Sequence, residues 1–378
     1  MRQKTSDLRQ LLATTIHHVR SGRATSRTNL ARFLGISPST VGLYVDQLIA
    51  TGHLHESGLE HGSMGRPKRK LMVRSTPGWF AGVEFTADRV QFIGVDFSGQ
   101  IINTQEIPLH ADPSTAIVLD TIKTGLNQMS AQQSIKLLGI GMGAPGWVDS
   151  VSGLSIRYTF VHDWQNIPIR DILGEKFGVP VTLESSMRAI ALAERWFGNH
   201  RNVDDYLVVA ARSGFGLASM QAGKLIHGAN NSAGEVGLWP WPLAGEGPVR
   251  ELHHMLSAPM TYRRLAGLSE TTPVPKNLRV AMLSLANERL HAWDEVVTDY
   301  ARVLGCVQLL LDPKLCFLHG PLTALGDRFC QDVMDASTQI APALATVKLN
   351  LIRSTLGDDA GALGAASLAM EAWLPKYV

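Results

Sequence analysis

The chain has 378 residues, 45% of them apolar, and a formal net charge of +2. This is an ordinary folding composition, long enough for two or three domains. No apolar run approaches the roughly 18 residues of a membrane span, and the start lacks the apolar segment of a secretory leader. Three cysteines (Cys306, Cys316, Cys330) without a CxxC spacing suggest neither a disulfide framework nor a thiolate metal site. A cytoplasmic protein is expected.

The small net charge conceals an asymmetry. Residues 1–78 hold 12 Lys and Arg against 4 Asp and Glu, leaving 23 of the 35 basic and 29 of the 33 acidic residues for the rest. A basic segment on a mildly acidic body suggests that one part meets a polyanion and the other does something else.

In chain order, Leu8, Leu11, Leu12, Ile16 and Val19 recur at helical spacing and predict an amphipathic helix. A short second helix follows, with Leu30, Phe33 and Leu34 on one face and Gly35 stopping it. The third begins with Ser37 as N-cap and Pro38 at the first helical position, carries Val41, Val45, Leu48 and Ile49 as a buried stripe, and ends at Gly52. Its outward face then presents Ser39, Thr40, Gly42, Leu43 and Asp46, with Tyr44 near the edge.

Two helices joined by a glycine-containing turn, the second exposing small polar groups near its start, are the pattern of a helix-turn-helix. Two short strands, LHE and KLMV, flank the stretch SGLEHGSMGRPKRK, so a winged helix-turn-helix is expected over residues 1–74. In the wing, Gly65-Arg66-Pro67 places an arginine on an extended backbone, suited to the narrow minor groove of an A·T-rich site. Lys68, Arg69 and Lys70 are assigned to phosphates, which fix position without reading sequence. Base contacts are expected from Ser39, Thr40, Leu43 and Tyr44.

STPG (residues 75–78) is a turn-rich linker, after which the pattern changes. GWFAGVEFTADRVQFIGVDFSGQIINTQEIPL predicts three strands with turns at TADR and FSGQ. A buried strand enters the glycine–proline loop of GIGMGAPGWVD, and a strand leads into a helix at VTLESSMRAIALAERW. DDYLVVAARSGFGLASMQAGKLI predicts a β-hairpin, and VQLLLDPKLCFLHGPLT with AGALGAASLAMEAW predicts a strand after a helix and then a closing helix. The pattern is α/β with mixed sheets.

The set GIGMGAPGWVD, HGANNSAGEVG, SGFG, LSAP and DDAGALGAASLA resembles the ROK group of repressors and sugar kinases over nearly the whole body. The resemblance implies a ROK domain over residues 79–378: two actin-like (ribonuclease H-like) α/β lobes with a sugar cleft between them, which also carry dimerisation. ROK kinases place Asn-Asp at the strand-to-helix junction, where this chain has Ser185 and Ser186. Their first phosphate loop, Asp-x-Gly-Gly-Thr, stands here as EFTAD, residues 84–88, without either glycine. A serine does not accept a proton near neutral pH, and side chains on that loop crowd a phosphate, so no catalytic residue and no cofactor are expected.

The family's zinc pattern is likewise absent. Leu238 follows GEVG where the family has histidine, and no cysteine lies between it and LSAP. Aligned on LSAP, Glu251 stands for the last cysteine and His253 for a sugar-binding glutamate. Structural zinc needs four placed ligands, so no metal is expected. The resemblance assigns effector contacts to Glu235, Ser185, Ser186 and His253.

The reading is a DNA-binding transcriptional regulator, a repressor of carbohydrate-utilisation genes, with a sugar-type effector in the ROK domain. Its expected partners are a palindromic A·T-rich operator and a second copy, as a homodimer or dimer of dimers, with no membrane. The alternatives are a ROK sugar kinase with an atypical active site and a ligand-independent DNA-binding protein.

Overall fold

Local punctuation decides the first seventy residues. In the computed structural model, which describes residues 2–60, 68–241, 249–286, 288, 292–342 and 346–375, three helices come first: α1 (Arg2–Arg20), α2 (Arg27–Leu34) and α3 (Pro38–Ala50). Ser26 Oγ accepts from Asn29 N to start α2, and Gly35, in the left-handed region at φ 64°, ends it. Ser37 Oγ accepts from Thr40 N to start α3, with Pro38 at its first position. Strands β1 (Leu54–Glu60) and β2 (Lys68–Val73) pair antiparallel, from Leu54 opposite Val73 to Glu60 opposite Lys68.

Leu12, Ile16, Leu30, Val41, Val45, Leu48, Leu54 and Leu71 are each at most 2% exposed and form this segment's core. Phe33 departs from expectation. It is 53% exposed, because the eight-residue α2 buries only Leu30, and its ring stacks on His18 instead.

The first α/β lobe follows. Its elements are β3 (Trp79–Phe85), β4 (Arg89–Asp96), β5 (Ile101–Pro108), α4 (Thr115–Ala131), β6 (Leu137–Ala144), β7 (Trp147–Asp149), β8 (Leu154–Arg157), β9 (Gln165–Ile167), α5 (Ile169–Phe177), β10 (Val181–Ser185) and α6 (Ser186–Phe197). The main sheet runs β10-β6-β3-β4-β5, parallel across β10, β6 and β3 and antiparallel across β3, β4 and β5. Strands β7, β8 and β9 form a small sheet of their own.

The second lobe contains β11 (Tyr206–Ala211), β12 (Phe215–Gln221), β13 (Lys224–Leu225), β14 (Pro240–Trp241), β15 (Arg250–Glu251), α7 (His253–Leu256), α8 (Ala258–Leu265), α9 (Leu278–Leu285), α10 (Trp293–Leu311), β16 (Leu315–His319), α11 (Gly326–Ile340) and β17 (Leu351–Arg353). Its sheet, β13-β12-β11-β16-β17, repeats the first pattern: an antiparallel meander joined to parallel strands. The closing helix is α12 (Ala360–Ala372).

The chain divides into two compact units, residues 1–189 with 361–378, and residues 190–360. The expected three strands, the hairpin and the closing helix are all present. Among the described residues, no helix is long and apolar enough to cross a membrane.

Every residue of β3 is buried, which requires cover on both faces. Trp79, Ala81, Val83 and Phe85 join Val118, Ile122, Leu126 and Met129 of α4 in one core. The opposite face takes α12, with Gly82 and Gly141 directly beneath the backbone of Ala362 and Ala365. A Cβ at either glycine would overlap a carbonyl oxygen, so helix and sheet approach at a distance that only glycine permits. At its far end, α12 leads to Trp373, whose ring lies 5.3 Å from that of His53, and to Pro375, whose carbonyl accepts from Arg9 Nε at 2.7 Å. Arg20 Nε donates to Phe97 O at 2.9 Å, so α1 is tied to the strand ends as well.

Candidate functional site

The exposed side of α3 is built on its cap. Ser37 Oγ lies 2.8 Å from both Ser39 Oγ and Thr40 Oγ1. Three hydroxyls therefore gather at a helix N-terminus, where the backbone carries partial positive charge. Ser39 is exposed, Thr40 and Tyr44 are half-buried, and Leu43 projects at 70% exposure. On β2, Arg69 donates to Glu56 Oε2 at 3.1 Å while its side chain stays 72% exposed, and Lys70 is exposed. Arg66 lies outside the described residues, and of Lys68 only the backbone is described.

The strand ends of the first lobe hold buried charge. Register places Glu84 of β3 and Glu184 of β10 on either side of Gly143 of β6. Glu84 and Glu184 are 1% and 2% exposed, and Arg188, one helical turn on, is 2% exposed. Arg188 Nε donates to Glu184 Oε1 at 2.5 Å, and Ser185 N donates to the same oxygen at 2.7 Å. The Glu84 carboxylate packs against Gly361 at the start of α12, where the helix end favours a negative group.

A nucleotide phosphate at EFTAD would need free backbone N–H groups, and two are committed. Thr86 N donates to Arg89 O at 2.9 Å and Ala87 N to the Tyr158 hydroxyl at 3.2 Å. Ser185 and Ser186 are 6% and 8% exposed. Ser185 Oγ accepts weakly from Arg188 N at 3.4 Å, whereas Ser186 Oγ has no hydrogen-bond partner among the described residues. A buried hydroxyl without a partner is costly unless something else bonds to it.

In the second lobe the glycine-bearing turn of β11 and β12 closes on His253. Arg212 N donates to Gly214 O at 2.8 Å, and Phe215 N donates to His253 Nδ1 at 3.0 Å. Gly214 and Gly237 pack directly on the imidazole. Burial lowers the His253 pKa, against the raising influence of Glu251, and His254 lowers it further. Glu235 is half-buried at the head of the short turn Val236–Leu238, and Leu238 is 54% exposed. Trp241 is buried in the lobe's core, and β14 pairs with β15, so packing and pairing order this stretch. Among the described residues, no group of three or more His, Cys, Asp or Glu side chains is placed to hold a metal ion.

Two polar sets, one buried and one partly exposed, escape sequence reading. Glu194 Oε1 bonds to His319 Nε2 at 2.8 Å and to Ser354 Oγ at 2.5 Å. Arg27 bonds to Gly42, Asp46 and Glu56. Their bonded partners lie 15 to 160 residues apart, beyond the reach of any local pattern.

A family model described as the ROK family matches residues 80–372. A xylose repressor from Caldicellulosiruptor bescii is 31% identical over 217 residues, covering 56% of this chain and 54% of the repressor. The chain thus matches about half the length of that relative. Among solved structures, a ROK family transcriptional regulator described as a homolog of the E. coli MLC protein superposes with TM-score 0.76 at 20% identity, covering 96% of each chain. A ROK family glucokinase from Streptomyces griseus, in complex with glucose and AMPPNP, superposes with TM-score 0.61 at 21% identity, over 77% of this chain and 99% of that one. At these identities, both likenesses describe the fold.

Proposed function

We propose that this chain, which belongs to the ROK family, is a DNA-binding transcriptional regulator that represses carbohydrate-utilisation genes in response to a sugar-type effector. The observation that carries the reading is the first seventy-four residues: α3 turns Ser39, Thr40 and Leu43 outward beside a two-stranded wing bearing Arg69 and Lys70. It supports a winged helix-turn-helix that would set α3 in the major groove and the wing along the adjacent backbone and minor groove, where the sequence assigns Arg66 and Lys68. One such unit covers one half-site, so a palindromic operator calls for a homodimer with half-sites about 34 Å apart. A relative named xylose repressor supports the same reading.

The body senses rather than catalyses. The N–H groups of Thr86 and Ala87, and that of Phe215 in the glycine-bearing turn, are engaged internally. Serines stand where the kinases of the family place their base. In the first unit, Ser186, whose buried hydroxyl lacks a partner among the described residues, and Ser185 support a bound hydroxyl compound; the family resemblance adds Glu235 and His253, which lie in the second unit, as further donors and acceptors. Screening the full chain against a carbohydrate library tests this. A true effector at 100 times its dissociation constant adds about 2.7 kcal/mol of stability, and Ser186→Ala should reduce that gain. A library in which no sugar raises the melting temperature would leave the protein a ligand-independent DNA binder.

A further inference from the structure

Resting on that DNA-binding reading, we propose that Arg27 is the positioning residue that fixes the register of α3 against the wing and thereby sets the spacing of the two stretches of DNA they contact. Arg27 is the first residue of α2, and its guanidinium reaches the flank of α3 at Gly42 and Asp46. Its guanidinium divides three ways: Nη2 to Asp46 Oδ1 at 2.7 Å, Nη1 to Gly42 O at 3.3 Å, and Nε to Glu56 Oε1 at 3.0 Å. Gly42 and Asp46 lie one turn apart on α3, and Glu56 lies on β1. One planar group therefore spans the helix and the sheet.

The chain of contacts continues into the wing. Glu56 gives its second oxygen to Arg69 Nη1 at 3.1 Å, so Asp46, Arg27, Glu56 and Arg69 run from the exposed face of α3 to the second wing strand. A backbone bond from Leu71 N to Thr25 O at 2.8 Å, two residues before Arg27, ties β2 to the same corner.

Stability is not the main consequence. The partners are partly exposed, Arg27 at 34%, Glu56 at 20% and Asp46 at 66%, and such pairs contribute about 0–1 kcal/mol. What the fork supplies is direction, since its donors are fixed in one plane and hold two elements at one angle. Together with Arg69 it balances the charge of Asp46 and Glu56, two of the four acidic residues in the first 78, where a phosphate backbone would otherwise meet repulsion. Glu56 in turn aims Arg69 outward.

Lysine keeps the charge of Arg27 but cannot reproduce the three-way fork. The test selects duplexes from a randomised pool with the full-length wild type and with Arg27→Lys. Within each half-site, wild type should recover two short conserved blocks, one for α3 and one for the wing, at one fixed spacing. The variant should bind the wild-type consensus at least tenfold more weakly with the same salt slope, because no phosphate contact is lost, and should recover the same blocks at scattered spacings. Equal affinity within twofold and a single preserved spacing would overturn the role of Arg27. A wild type that enriches no motif would instead overturn the DNA-binding reading and this inference with it. Should Arg27→Lys melt markedly lower, the isosteric Glu56→Gln decides: it should blur the wing block and leave the α3 block sharp, and an unchanged consensus in that variant would sink the proposal.

Discussion

The backbone N–H of Phe215 donates to Nδ1 of His253 at 3.0 Å. A backbone N–H can only donate, so Nδ1 accepts and the neutral ring carries its proton on Nε2. Neither nitrogen then offers a spare lone pair to a metal. The purified protein should contain no stoichiometric zinc by elemental analysis, and chelator should leave its melting temperature unchanged. About one zinc per chain would show that the His253 bond to Phe215 is exchanged for coordination.

Acidification should weaken the fold through two histidines. His53 is held below its ordinary value by burial first, then by Lys136 and Arg20, and His253 by burial first. Such a group stays neutral in the folded chain while the unfolded chain takes up a proton. Stability is therefore kept above the unfolded value of about 6.5 and declines as the pH falls through it. Melting temperatures at about pH 7.5 and 5.5 should fall less for His53→Phe combined with His253→Gln than for wild type. An identical fall in both would show that other groups carry the acid sensitivity.

Gly141→Ala should be severely destabilising, because its Cβ would overlap the carbonyl oxygen of Ala365 in α12. Overpacking of this kind costs about 1–3 kcal/mol, and more when backbone must move. Gly174→Ala is the control: it lies within α5, meets nothing nearer than 4.0 Å, and should add up to about 1 kcal/mol from helix propensity. Urea midpoints of the two variants should move in opposite directions.

Arg188→Met should cost about 3–5 kcal/mol, since it leaves the Glu184 carboxylate buried at 2% exposure without its arginine. Adding Glu184→Gln should recover a large part of the loss. Equal denaturation midpoints for Arg188→Met and wild type would mean that the pair is solvated.

Short-range structure was legible in the sequence. Ser37, Pro38, Val41, Val45 and Leu48 specify α3 because cap and stripe lie within twelve residues, and the structure buries Val41, Val45 and Leu48 completely or nearly so. The same reasoning failed at Phe33, where a helix of eight residues has too little length to bury a second large side chain. The strand order was out of reach. So were Glu84 and Glu184, which meet across Gly143 only once residues a hundred positions apart are in register. The departures at Ser185 and Ser186 were visible from the family motif, but the committed N–H of Ala87 depends on the distant Tyr158 hydroxyl.

The behaviour proposed for the full-length chain is sequence-specific binding of duplex DNA that a sugar relieves. It is tested most directly by titrating the full-length chain against its selected duplex and a scrambled one by fluorescence anisotropy, across salt and with each stabilising carbohydrate. Binding to the selected duplex should be at least about 10³-fold tighter than to the scrambled one and should weaken steeply with salt. One carbohydrate should reduce that affinity about 5- to 150-fold. Equal affinity for both duplexes, together with ATP-dependent phosphorylation of a sugar, would contradict the proposal.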